Sequence, residues 1–322
     1  MLSQEICVLG GTGFLGSRLV SSLAADGYSV RIASRNIANH RQLQVLPTVR
    51  MFQCDINNPD ALRNMVTGCS VVINLVGILN EKGRNGAGFR AAHSELCAKL
   101  VDACRLGRVT KLIQISALKA DATNGPSHYL RTKGEAEQIV REQSGTMSWT
   151  ILQPSVIFGP GDSFTNRFAA LLRLMPVIFP LAKAGALFAP VHVDDVVLAI
   201  RQVMHDKSSN GAVYQLYGAE VYSLREIVLR ISKATGVRRY VVGLPDWLAR
   251  LQAMVMEFLP GKPFSLDNYR SLSVPSVGTD DGLARLGIKP RSFDLNLDSC
   301  IGQLSSQTPL DRSRRSAGRY PG

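Results

Sequence analysis

Glu5-Ile-Cys-Val-Leu-Gly-Gly-Thr-Gly-Phe-Leu-Gly16 decides the fold. A short apolar run, read as a strand, meets glycines at 10, 13 and 16, and an amphipathic stretch from Ser17 to Ala25 follows. This is a strand–turn–helix whose turn must let a pyrophosphate approach bare backbone. Glycine removes the Cβ atoms that would block it, and the start of the following helix offers unpaired N–H groups and a positive dipole end. Gly10, Thr12, Gly13, Phe14, Leu15 and Gly16 are therefore the expected diphosphate-binding residues. The second strand, Tyr28 to Ser34, runs into Arg35 with no carboxylate nearby, and Arg41 follows on the same connection. An Asp or Glu there would accept from the ribose 2′-hydroxyl of NAD, whereas a guanidinium can clamp a 2′-phosphate in two places. Ser34 and Arg35 thus point to NADP(H), with NAD(H) as the alternative.

Outward from that turn, short apolar runs alternate with helical patterns. Strands are expected near 5–9, 28–33, 49–53, 70–76, 110–115 and 147–152, with helices near 15–25, 59–67, 87–106 and 127–143. Such alternation implies an α/β fold, a Rossmann-type doubly wound parallel sheet with ligands at the carboxyl ends of its strands. Past Pro154 the pattern changes. Residues 156–189 are apolar and proline-broken, 191–204 resume a strand and helix, and 223–235 read as an amphipathic helix. Residues 245–260 carry Trp247, Leu248, Leu251, Met254, Val255, Phe258 and Leu259 at mixed three- and four-residue spacing, which reads first as ordinary core packing and second as a docking helix. The expected division is an NADP(H)-binding domain (1–155 and 190–218), a smaller, mostly helical substrate or docking region (156–189 and 219–304), and a disordered basic tail (305–322).

At 322 residues, 45% hydrophobic and 19% charged, the chain can bury a full core. Its six cysteines form no Cys-x-x-Cys pair, the usage of a reduced compartment, and its five scattered histidines suggest no metal site. No signal peptide is expected before the first strand. The longest apolar stretch, Leu171 to Val193, is broken by three prolines, Arg173 and Lys183, so no membrane span is expected. The expected location is the cytoplasm, extending to the periphery of the inner membrane. A net charge of +12 suits an anionic neighbour, such as a phospholipid surface or an acidic subunit, as well as plain solubility. No nucleic-acid motif accompanies it, so no nucleic-acid partner is expected.

After the fifth strand come Ser116 and then Tyr129-Leu-Arg-Thr-Lys133. Tyr129 and Lys133 are four apart on an expected helix and project from one face. A phenol ordinarily titrates near 10, too weak an acid for proton transfer at neutral pH. An ammonium one turn away, with the charge of an oxidised nicotinamide, should bring Tyr129 toward neutrality. It could then exchange a proton with a substrate oxygen while hydride moves to or from the nicotinamide.

With these residues the chain resembles the short-chain dehydrogenase/reductase superfamily, in its extended or atypical, NAD-dependent epimerase/dehydratase-like branch. The stretches Val76-Gly-Ile-Leu79, Tyr129 to Lys133, Gly161 to Phe168 and Pro190-Val-His-Val-Asp-Asp195 are similar to the nucleotide-binding accessory subunit of respiratory complex I and its bacterial relatives. The likeness covers roughly residues 4–300. It implies that Asp55 meets the adenine, that Ile56, Leu75, Val76, Gly77, Pro154 and Val156 bind the cofactor, and that Lys133 holds the nicotinamide ribose. There are two departures. Ala117 and Leu118 stand where the superfamily places its active-site serine, so Ser116 is expected to orient the nicotinamide amide. His93 stands where extended members carry a proton-relaying Asn; it is read as a buried, hydrogen-bonded structural residue, with a relay as the rival.

Two functions follow. One is an NADP(H)-dependent oxidoreductase with Tyr129, Lys133 and Ser116 as catalytic residues. Its substrate, hydrophobic or isoprenoid-like, would lie between the sheet and the apolar segments past 156. The other is a non-catalytic accessory or assembly subunit, in which NADPH is structural and the basic surface with the 245–260 helix docks on a membrane complex. The first is the main expectation and the second its alternative; the resemblance implies a structural role for the mitochondrial member, which holds NADPH without established turnover. A redox-sensing regulator has no feature behind it.

Overall fold

The computed structural model describes residues 5–259 and 262–306. The apolar runs become a seven-stranded parallel sheet: β1 (Glu5–Leu9), β2 (Ser29–Ser34), β3 (Val49–Gln53), β4 (Val71–Asn74), β5 (Lys111–Ile115), β6 (Ser148–Pro154) and β7 (Ala212–Leu216). Their spatial order is β7-β6-β5-β4-β1-β2-β3. The connecting helices are α1 (Phe14–Ala25), α2 (Pro59–Val66), α3 (Leu96–Leu106), α4 (His128–Gln143), α5 (Ser163–Leu174) and α6 (Val193–His205). Every residue of β4 and β5 is buried, as strands covered on both faces require.

Alternation along the strands sends neighbouring side chains to opposite faces. Ile6 and Val8 join Leu19 of α1 and Ile200 of α6 on one face. Cys7 and Leu9 join Leu62 of α2, Leu100 of α3 and Val140 of α4 on the other. Strand order reverses between β1 and β4, which opens a crevice at their carboxyl ends. β7 was not among the expected strands. It follows the Gly211 turn and pairs with β6 from Ala212–Thr150 to Leu216–Pro154. Alternation over only five residues, between a helix and a loop, is a weak signal.

The chain past Pro154 builds a second core. Phe158, Leu172 of α5, Phe179, Leu181 and Val241 pack there with Ile227 and Ile231 of α7 (Leu224–Ala234) and Phe293 of the final helix. This region also carries α8 (Asp246–Met256), α9 (Leu266–Ser271), a single helical turn at Gly282–Arg285 and α10 (Phe293–Ser306). α10 runs two residues into the stretch expected to be tail. Residues 307–322, the rest of that expected disordered segment, lie outside the described residues.

Candidate functional site

Everything expected to touch the cofactor's diphosphate lies along the carboxyl edge of β1 and its neighbours. Gly10 leaves β1 with φ +77°, and a Cβ there would stand 3.1 Å from the Leu75 carbonyl carbon. Leu75 is held alongside by its amide, which donates to the Leu9 carbonyl at 3.0 Å. A Cβ on Gly16 would come within 2.7 Å of Gly11 Cα and closer still to the Gly10 carbonyl oxygen, so α1 can press on the turn only as glycine. Gly13 caps α1 with no side-chain hydrogen bond and no acidic residue in the first turn. The amides of Phe14, Leu15 and Gly16 therefore face outward from an uncapped positive helix end, beside the half-buried Thr12.

On the β2 side, Ser34 is buried and closes a tight turn, donating to the Asn36 carbonyl at 3.0 Å and accepting from the Asn36 amide. Arg35 and Arg41 are exposed, and neither has an ion pair among the described residues. Past β3, the Asp55 carboxylate accepts from the backbone and side-chain nitrogens of Asn57 at 3.0 and 2.9 Å. These bonds, with Arg35 and Lys99 nearby, hold its carboxyl below the usual range. Ile56 packs against the core beneath. At the other end, Pro154 and Val156 commit their carbonyls to the amides of Leu118 and Val191 at 3.0 Å each.

Tyr129 and Lys133 stand on the first two turns of α4, whose start is fixed by the Ser127 hydroxyl accepting from the Leu130 amide. Lys133 reaches across the crevice floor, its Nζ donating to the carbonyls of Ile115 (3.2 Å) and Val76 (3.4 Å). A Cβ on Gly77 would lie 3.1 Å from that Nζ, so the glycine leaves the ammonium its room. Burial lowers Lys133 to about 8 and pushes Tyr129 up to about 12. Burial alone does not draw the phenol toward neutrality; the expectation also counts on the charge of an oxidised nicotinamide. Both groups are desolvated, which disfavours the charged form of each, and Lys133 spends its hydrogen bonds on carbonyls. Among the described residues the Tyr129 hydroxyl has no hydrogen-bond partner. Ser116 is buried with its Oγ unpaired. An orphaned hydroxyl, an open helix start and a glycine-bared turn on one edge fit a dinucleotide.

His93 lies on a π-helical turn (Ala91–Glu95), its ring edge-on to Tyr129 at 5.5 Å. Its Nε2 accepts from the Ile78 amide at 3.1 Å, which places the ring proton on Nδ1, 2.9 Å from Thr132 Oγ1. Burial and the Lys133 charge drive its pKa down to about 2. His93 is a neutral latch between α4 and the segment after β4.

Sequence reading missed the groups that the C-terminal region sends to α4. The Asp267 carboxylate accepts from the amides of His128 (2.6 Å) and Tyr129 (3.1 Å), and Ser271 Oγ donates to Ser127 Oγ at 2.8 Å. Lys262 donates to the carbonyls of Glu81, Lys82 and Gly83 at 2.9 Å each and pins the loop after Leu79. Between that loop and α8 lies a cleft of about 290 Å³, lined by Phe89, His128, Met254 and Phe258 among others. Phe89 in turn meets the Tyr129 ring edge-on. An isolated Ser-Leu-Asp-Asn stretch offers only a helix start, and no local signal tells which distant helix it serves.

The chain matches the profile of an NAD(P)H-binding family over residues 10–166. It is 30% identical over 297 residues to the mitochondrial NADH dehydrogenase (ubiquinone) 1 alpha subcomplex subunit 9 of Arabidopsis thaliana, covering 86% of this chain and 71% of that one. The chain belongs to this complex I subunit family. A further relative in that family, the mitochondrial NADH-ubiquinone oxidoreductase 40 kDa subunit of Neurospora crassa, is 30% identical over 77% of this chain and 65% of its own. The chain thus spans about two thirds of the length of these two subunits. A ceramide reductase of Caulobacter vibrioides is 28% identical over 75% of this chain and 74% of its own. Among solved structures, a Thermus thermophilus UDP-glucose 4-epimerase bound to NAD shares the fold, with TM-score 0.73 and 20% identity, covering 94% of this chain and 99% of that one. This family member carries an NAD(P)-binding Rossmann sheet.

Proposed function

We propose that this protein is an NADP(H)-dependent reductase of an apolar carbonyl compound, with Tyr129 as proton donor. One observation carries the reading: the Tyr129 hydroxyl has no hydrogen-bond partner among the described residues and stands on the helix whose Lys133 reaches the crevice floor at Ile115 and Val76. A protonated phenol is the form required for reduction, in which a proton must reach the carbonyl oxygen. NADPH, when bound, supplies hydride. Tyr129 then gives its proton to the oxygen, and the phenolate left behind is stabilised by the Lys133 ammonium and reprotonated from water. Ser116 Oγ would orient the carboxamide, Lys133 the adjoining ribose, and Arg35 the 2′-phosphate that distinguishes NADP(H) from NAD(H). The similarity to a ceramide reductase supports an apolar substrate.

Tyr129→Phe should abolish NADPH oxidation on a panel of long-chain ketones and quinones while NADPH affinity stays within about twofold. Wild-type turnover by that variant would refute Tyr129 as the donor.

A second reading, a non-catalytic NADPH-holding accessory subunit at the cytoplasmic face of the inner membrane, has its own support. Ala117 and Leu118 are buried apolar residues where a second active-site hydroxyl would serve catalysis, and two relatives are named as NADH dehydrogenase subunits. NADPH that copurifies, resists dialysis and is oxidised by no member of the panel would favour it.

A further inference from the structure

α8 is built inside out. Its buried residues are Ala249 and Ala253, whereas Trp247 (67% exposed), Leu251, Met254 and Val255 follow one another on the outer side, continued by Phe258 (72% exposed). These positions recur at three- and four-residue spacing, so they form one stripe. Gln252 ties α8 to the neighbouring two-stranded sheet by donating to the Pro180 carbonyl at 3.1 Å. That sheet is apolar on both faces, with Phe179, Leu181 and Val241 buried and Ile178, Tyr240 (75% exposed) and Val242 turned out. Isolated exposed apolar residues are ordinary, but adjacent elements that both turn their large side chains outward indicate a covered face.

The charges around it select the cover. Arg250 on α8, Arg173 at the end of α5 and Arg238 before Tyr240 are exposed and form no ion pair among the described residues. Arg84 stacks over the Phe258 ring at 3.9 Å. The acid at the start of α8, Asp246, is taken up by Lys183 and Tyr269 at 2.6 Å each. A second copy seated face to face would bring these arginines together. An apolar stripe with Trp and Phe, rimmed by Arg, matches the boundary between acyl chains and acidic headgroups. No helix among the described residues is long and apolar enough to cross a membrane, so the contact is peripheral.

We propose that the outer face of α8, with the Ile178–Tyr240 edge, seats on an anionic phospholipid bilayer. The cleft beside Met254 and Phe258 is lined by the buried Phe89, whose ring meets Tyr129 edge-on, so a bilayer-borne substrate entering there would reach that hydroxyl by displacing the Phe89 ring. This last role rests on the reductase reading; the docking does not.

Co-sedimentation of the full chain with phosphatidylcholine vesicles, pure or carrying about 30% phosphatidylglycerol, tests the docking. Binding is expected to the mixed vesicles and to weaken with salt. Trp247→Ser/Phe258→Ser should lower partitioning at least about tenfold, and Arg250→Glu several-fold, with NADPH affinity unchanged as the sign of an intact fold. Wild-type protein that ignores anionic vesicles at low salt, or a double variant that binds as well as wild type, overturns the docking. So does a wild-type dimer in sedimentation equilibrium that the double variant abolishes, since a second copy would then cover the face. Met254→Trp should lower kcat/KM for a vesicle-borne ketone more than for a water-soluble one. An equal effect on both overturns the cleft's role and leaves the docking standing, and absence of all turnover removes only the reductase reading.

Discussion

Acidification puts the assignment of His93 as a neutral latch at risk. Both ring nitrogens are engaged: Nε2 accepts from the Ile78 amide, and Nδ1 faces Thr132 Oγ1, whose own hydroxyl donates to the His128 carbonyl at 2.9 Å. Protonation would set a second N–H against the Ile78 N–H and bury a cation beside Lys133, so the pKa is driven to about 2. In the unfolded chain the imidazole titrates near 6.5. Unfolding therefore takes up a proton below that pH, and stability is complete above about 6.5 and falls as the pH drops toward about 2. The slope is about 1.4 kcal/mol per pH unit, so about 2.7 kcal/mol should be lost between neutrality and about pH 4.5 from this residue alone. Carboxylates add slopes of their own, and comparison with His93→Asn removes them. The variant should be less stable near pH 7.5, because its shorter amide cannot span from Ile78 to Thr132, and the difference should shrink by about 2–3 kcal/mol by pH 4.5. Guanidinium unfolding at a series of pH values measures both. An unchanged difference, or a His93 ring proton that titrates near pH 6 by NMR, would refute the latch and revive a proton relay.

Gly16→Val should abolish dinucleotide uptake in calorimetry, because its Cβ would be forced into the Gly10–Gly11 backbone; undiminished binding would show that the turn does not hold the diphosphate. Asp267→Ala leaves the amides of His128 and Tyr129 without their carboxylate. Since Asp267 lines the cleft, water can partly replace it, and a loss of about 1–2 kcal/mol is expected, with faster hydrogen exchange at those two amides. Lys133 titrates lower in the folded protein, at about 8, than in the unfolded chain, so its burial penalty is complete below about pH 8 and is relieved as pH rises toward about 10.5. Lys133→Met should lose that rise in stability of the cofactor-free protein, read from unfolding midpoints. Arg35→Asp should shift preference from NADP(H) toward NAD(H) in paired titrations; unchanged selectivity would remove Arg35 as the phosphate clamp.

Local sequence determined the sheet, because its evidence is periodic and repeated. Apolar runs such as Val71–Asn74 and Lys111–Ile115 can be buried on both faces only in a parallel sheet with helical crossovers, and glycines at 10, 13 and 16 mark where backbone must lie bare. The spacing of Tyr129 and Lys133 likewise set both on one helical face before any contact was known. Tertiary structure decided the rest. The ionisation of Tyr129 and Lys133 depends on how deeply α4 is buried and on which carbonyls Lys133 meets, and neither is encoded in a spacing of four. Asp267 lies over a hundred residues from the helix start it caps, and Trp247 reads as a core residue until Ala249 and Ala253 are seen to take the inner side of α8. Periodicity reports which residues share a face; only the packed chain shows what that face meets, because desolvation and hydrogen-bond partners are properties of neighbours distant in sequence.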